Sequence, residues 1–159
     1  MKIPQSQCTL LFIYHAPSPN TKALSAALLR GALQHADATL EVKCISPFDV
    51  KADDVLNARG VILGTTENFA YMAGATKDFF DRCYYELLGK TDALPYAVYI
   101  RAGLDGTGAT VAISRICKGL KWKQVQAPLV LQGKYQNSFE QECETLGAAI
   151  AAGLSTGIF

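Results

Sequence analysis

Almost no net charge is left on this chain: 15 lysines and arginines against 14 aspartates and glutamates leave +1 over 159 residues. There is no basic cluster and no acidic tail, so the concentrated positive footprint that phosphate backbones require is missing, and nucleic acid is not expected as a partner. Charged residues make up only 18% of the chain while hydrophobic ones make up 50%, which excludes a disordered segment. No apolar run is long enough to span a bilayer. The amino-terminal Met1-Lys2-Ile3-Pro4-Gln5-Ser6-Gln7 is polar, and the short apolar run after it lacks a cleavage site, so no secretory signal is expected. A soluble cytoplasmic protein follows as the expectation, with one domain spanning residues 1–159.

The five cysteines, Cys8, Cys44, Cys83, Cys117 and Cys143, form no C-x-x-C pair and fall one to an element. An odd, dispersed set argues against both a disulfide framework and a zinc site, and is expected to pack as small hydrophobes. Also lacking are G-x-G-x-x-G and G-x-x-x-x-G-K-[ST], so the Rossmann and P-loop readings fail on their own motifs. Gly106-Thr107-Gly108 has no third glycine and follows the fourth strand, not the first. No serine elbow, His–Asp pair or carboxylate dyad stands in a recognisable setting, so no catalytic residue is assigned.

What is present is an alternation of strands and helices. Thr9–Tyr14 is continuously apolar and β-prone, as in a strand buried on both faces of a parallel sheet. A helical period follows from Asn20, with Leu24, Ala27, Leu28 and Gly31 on one face. Leu40, Val42 and Cys44 alternate with Glu41 and Lys43, which suits an edge strand with one wet face. Asp53 to Ala58 predicts a short helix, and Val61-Ile62-Leu63 a third strand that opens at Gly64 onto a long polar and aromatic loop. A helix from near Gly74 to near Gly89, a strand at 97–100, a helix through Ala109–Leu120, a strand at 129–131 and a final amphipathic helix complete the pattern. Such alternation implies an α/β fold of three layers, α/β/α, with right-handed crossovers. With the second strand at an edge, the expected five-stranded parallel order is 2-1-3-4-5, and the loops from His15 and Gly64 face each other at the switch point.

Three loops therefore converge on one end of the sheet. The first offers Ser18, Asn20 and Thr21 at a helix amino terminus, a ready phosphate site, although Ser18 or Asn20 could serve only as an N-cap. His15 borders this loop and is weighed against the plainer reading of a solvated histidine. The second supplies Thr65, Thr66, Glu67, Asn68, Phe69 and Tyr71, with two aromatic side chains able to flank a planar ring or, equally, to cover core or a dimer contact. The third, containing Ala102, Gly103 and Gly106, offers exposed backbone for close approach to a ligand. Trp122 reads as packing or a subunit contact.

Two of these stretches resemble a known family. Ser18-Pro19-Asn20-Thr21 resembles the phosphate loop of flavodoxins, and Gly64-Thr65-Thr66-Glu67-Asn68-Phe69, continuing through Gly74, Lys77, Phe79, Phe80, Asp81 and Arg82, resembles the ring-holding loop and helix of flavodoxin-like NAD(P)H-dependent FMN and quinone reductases. Pro19 stands where flavodoxins usually have glycine, Ala16 where a further hydroxyl is common, and Thr66 replaces a frequent proline. The resemblance implies a flavodoxin-like fold, FMN as cofactor, NAD(P)H as electron donor, a small-molecule electron acceptor such as a quinone or flavin, and a homodimer or higher homo-oligomer. A flavodoxin-type electron carrier is the alternative, though flavodoxins are strongly acidic and this chain is not; a cofactor-free binding domain of the same fold is the third reading. Among the residues above, His15, Ser18, Asn20, Thr21, Thr65, Thr66, Glu67, Asn68, Phe69, Tyr71, Ala102, Gly103 and Gly106 are the expected cofactor contacts.

Overall fold

The first apolar run forms β1 (Cys8–Tyr14), fully buried over Leu10, Leu11 and Phe12 because helices cover both of its faces. It is described from a computed structural model covering residues 7–159; the polar segment 1–6, on which the expectation of no secretory signal largely rests, lies outside the described residues. The chain continues through α1 (Pro19–His35), β2 (Leu40–Ile45), α2 (Ala52–Leu56), β3 (Gly60–Asn68), β4 (Tyr71–Met72) and α3 (Gly74–Leu87). It ends with β5 (Pro95–Ala102), α4 (Thr107–Gly119), β6 (Lys123–Gln124), β7 (Leu129–Gln132) and α5 (Ser138–Ser155).

The parallel strands stand in the order β2-β1-β3-β5, with β6 pairing the start of β5 and β7 pairing its end. Taken as one strand interrupted at 125–128, β6 and β7 complete the order 2-1-3-4-5 that the sequence pattern predicts. Pro128, which has no N–H to give a ladder, sits in the interruption. At the other edge β2 turns Leu40 inward and leaves Glu41 and Lys43 exposed.

Because side chains alternate along a strand, each strand feeds two cores. Leu11, Ile13, Val61, Leu63, Val98 and Ile100 meet Phe79 and Phe80 of α3 and Ile113 of α4 on one face. Leu10, Phe12, Ile62, Ala97 and Tyr99 meet Leu24 and Leu28 of α1 and Cys143 and Ile150 of α5 on the other. Trp122 is buried in the first core, where its indole N–H donates to the Thr91 hydroxyl at 2.8 Å. Cys83, Cys117 and Cys143 are buried too. The helices α1 and α5 touch backbone to backbone: a Cβ on Gly31 would stand 1.9 Å from the Glu144 carbonyl oxygen, and one on Gly147 would stand 2.1 Å from that of Leu28.

One expected boundary is corrected. The strand does not open into a loop at Gly64 but runs on to Asn68, then folds back antiparallel as β4 with pairs Glu67↔Met72 and Asn68↔Tyr71. The two residues of the turn, Phe69 and Ala70, have φ of 52° and 58°. Positive φ at both central residues is the condition for a type I′ hairpin turn, which matches the twist of the flanking strands. For residues with a Cβ, this conformation costs roughly 1–2 kcal/mol each. Among the described residues no helix is long and apolar enough to cross a membrane.

Candidate functional site

From β1 the chain moves outward to β2 and then returns to the far side of β1 as β3, so the loops that follow β1 and β3 part at this boundary, the place where open α/β sheets bind ligands. The register shows where the two strands part. Pairing of β1 with β3 ends at Tyr14↔Gly64, whereas pairing of β3 with β5 continues to Thr66↔Arg101. Beyond Gly64, then, β3 keeps β5 beside it on one side, while β1 has given way to the loop that starts α1.

That first loop is fastened by a capping box. The Ser18 hydroxyl accepts the Thr21 N–H at 3.2 Å, and the Thr21 hydroxyl accepts the Ser18 N–H at 2.9 Å. Both hydroxyls are thereby engaged with the helix end, and Thr21 is buried. The same arrangement sets the axis of α1 so that the partial positive charge of its first turn points out of the helix end. Asn20, the second residue of the helix, is exposed, and its amide makes no hydrogen bond among the described residues. Of the three polar side chains expected here, Asn20 is the one with donors to offer.

In the second segment the side chains divide into two groups. Thr65 is only 1% exposed; its hydroxyl accepts from the Ala73 N–H and the Thr76 hydroxyl, which ties the hairpin base to the start of α3. Its role is internal. Thr66 donates to Asn68 Oδ1 at 2.9 Å on the exposed edge. Phe69 is wholly exposed at the turn, and Tyr71 is 40% exposed behind it.

Glu67 joins the second segment to the third. Its carboxylate accepts the Leu104 N–H at 2.7 Å and the Gly106 N–H at 2.8 Å, one on each oxygen. The glycine-rich loop is thus held to the hairpin by two charge-assisted bonds. Gly103 is exposed at the rim, whereas Ala102 is fully buried and Gly106 is buried with φ of 71° as the cap of α4.

Two features were not visible in the residues alone. Arg101 donates to the carbonyls of Ala102, Leu131 and Gly133, and its guanidinium lies 5.4 Å from the Phe139 ring centroid, so it locks the end of β5 to β7 and α5. A basic residue ending an apolar strand is the only hint the sequence offered. Gly108, discounted for want of a third glycine, lies against the hairpin turn: a Cβ there would stand 1.7 Å from the Ala70 carbonyl oxygen. Glycine at this position lets α4 press on the strained turn.

His15 is half-buried at the end of β1, beside Lys22 of α1. Burial pushes its pKa below the ordinary value of 6.5, since the charged imidazolium loses hydration. In the unfolded chain the imidazole takes up its proton first as the pH falls through about 6.5, so the folded state loses stability on the acid side of that value. Urea unfolding at pH 7.5 and 5.5 is expected to show a drop in stability that shrinks in His15→Gln. An equal drop in both proteins would assign the acid sensitivity elsewhere.

The sheet order and the three layers are those of a flavodoxin-like α/β fold. Among solved structures, a flavodoxin from the domain Archaea superposes with a TM-score of 0.78 at 23% identity, over 92% of this chain and 99% of that one. The flavodoxin WrbA-like protein from Agrobacterium tumefaciens gives 0.69 at 12% identity, over 95% and 99%. The rubredoxin oxygen:oxidoreductase of the anaerobe Desulfovibrio gigas gives 0.76 at 12% identity, where 97% of this chain matches 38% of that larger one. No protein-family model and no curated protein matches the sequence. What these likenesses establish is the flavodoxin-like fold.

Proposed function

We propose that this chain binds FMN between the β1–α1 loop and the β3–β4 hairpin, and uses it to pass electrons from NAD(P)H to a quinone, a flavin or another small acceptor. The observation that carries the reading is the convergence at one sheet end of three different supports. They are a capped helix amino terminus with a free Asn20, a strand edge released from β1 beyond Gly64, and a glycine loop clamped by Glu67. Each suits a different part of the cofactor. The α1 terminus and Asn20 hold an anionic phosphate. Backbone from Thr66 to Asn68 and the N–H of Gly103 meet the polar edge of a ring, with Tyr71 and Phe69 as its aromatic flank.

FMN, when bound, supplies the hydride and electron chemistry; the chain positions it and sets its surroundings. Glu67 acts here as a structural clamp, its two oxygens already engaged by backbone N–H groups. The wholly exposed Phe69 of the hairpin turn and the 63% exposed Leu104 of the third loop also favour a second reading, a carrier that docks these side chains on a partner protein. A turnover assay separates the two. The FMN-loaded protein is expected to consume NADH or NADPH, followed by absorbance, only when a quinone or free flavin is supplied. Loaded protein that consumes neither nucleotide would leave the carrier reading in its place.

A further inference from the structure

A concavity of about 540 Å³ lies between α1 and the carboxyl ends of β1 and β2. Its volume is that of a site for an organic molecule and far exceeds what an inorganic anion needs. The lining is of mixed chemistry. Tyr14 provides a ring, Ala26 and Leu29 an apolar wall along α1, and His15, Lys22 and Ser46 the polar groups. The Tyr14 hydroxyl, the His15 imidazole and the Lys22 ammonium make no hydrogen bond or ion pair among the described residues. Lys22 is exposed and Tyr14 and His15 are half-buried, so all three groups face solvent at the concavity and are free to meet a ligand.

We infer that this cavity is a site for an adenosine 5′-phosphate group. A flat purine matches the Tyr14 ring and the Ala26–Leu29 wall, and its polar edge matches His15 and Ser46. Lys22 supplies the cation for the phosphate. Ala16 and Pro17 line the cavity as well as belonging to the loop that leads to the proposed phosphate site of FMN. The group can therefore come from either of two sources: the second half of FAD, whose first half would lie between the β1–α1 loop and the hairpin, or a free adenine nucleotide. The first source rests on the flavin reading; the cavity itself does not.

Calorimetric titration of the full chain with AMP, FMN and FAD tests this. AMP is expected to bind one-to-one. Its affinity is expected to fall at least tenfold in Ala26→Trp, which fills the cavity from the exposed face of α1, and in Lys22→Ala, which keeps the wall and removes the cation. Far-UV circular dichroism and melting temperature check that both variants fold. If FAD is the source, FAD binds at least tenfold tighter than FMN, AMP competes with FAD but not with FMN, and Ala26→Trp removes the preference while FMN affinity stays unchanged. If a free nucleotide is the source, AMP and FMN bind together and FAD shows no advantage. Absence of AMP binding together with equal FMN and FAD affinities overturns the inference, as does AMP binding that survives both substitutions. Failure of both flavins to bind, with AMP still held, removes the proposed function and leaves the cavity assignment standing.

Discussion

Glu67→Ala is expected to weaken FMN binding by roughly tenfold to a hundredfold, through loss of order in the third loop and not through loss of a contact to the cofactor. The carboxylate accepts from Leu104 and Gly106 at 2.7 and 2.8 Å, and no other side chain bonds those two N–H groups. A hydrogen bond to a charged acceptor contributes about 1.5–3 kcal/mol, less where water screens it, so two at a partly exposed site are together worth a few kcal/mol of local order. A glycine-rich loop released from such a clamp samples many conformations. Only the fraction with the binding geometry takes up ligand, and the apparent affinity falls by that fraction. Glu67→Gln keeps one oxygen acceptor and is expected to lie between wild type and alanine. Hydrogen exchange at Leu104 and Gly106, faster in the alanine variant before any ligand is added, separates loop release from a lost contact. Unchanged exchange and unchanged affinity would remove the clamp from the account.

The largest stability effect is expected at the α1–α5 contact. Alanine raises helix propensity over glycine by about 1 kcal/mol, so on propensity alone Gly31→Ala and Gly147→Ala should stabilise. The packing reverses this sign. New Cβ atoms would stand 1.9 Å from the Glu144 oxygen and 2.1 Å from the Leu28 oxygen, and both are backbone atoms that cannot rotate away. Overpacking of this kind costs about 1–3 kcal/mol, and here the high end is expected because the helices must separate along a shared face. Each substitution is expected to lower the stability from urea unfolding by about 2 kcal/mol net of propensity, and the pair by about 4 kcal/mol, a large share of a small domain's stability. A variant more stable than wild type would show that the two backbones are not in contact.

Strand order was legible because the signals behind it are strong: an uninterrupted apolar β1, an alternating β2 and apolar helix faces at steps of three and four. The hairpin was not. Asn68-Phe69-Ala70-Tyr71 carries none of the Asn-Gly or Asp-Gly signature of two-residue turns, since Phe69 and Ala70 adopt positive φ against their own preference. What holds them there is tertiary, the approach of α4 at Gly108, and no local pattern reports that. Side-chain roles divided in the same way. Ser18 and Thr21 look like phosphate ligands by type, but their three-residue spacing is also that of a capping box, and the helix end engages both. Glu67 read as a cofactor contact in the ring-holding loop, and its role as a clamp did not show because its partners lie far along the chain at Leu104 and Gly106. The interruption between β6 and β7 contains Pro128, a mark the sequence does carry.

FMN is proposed to be held by its phosphate between α1 and the β3–β4 hairpin. Titration of the purified, flavin-free chain with FMN and with riboflavin, followed by quenching of flavin fluorescence, tests it most directly. Saturable one-to-one binding of FMN is predicted, tighter than that of riboflavin by the contribution of the phosphate. Asn20→Ala is expected to weaken FMN by about tenfold, the loss of one hydrogen bond to a charged group, and to leave riboflavin unchanged. Equal affinities for FMN and riboflavin, or no saturable binding of either at pH 7, would contradict the account.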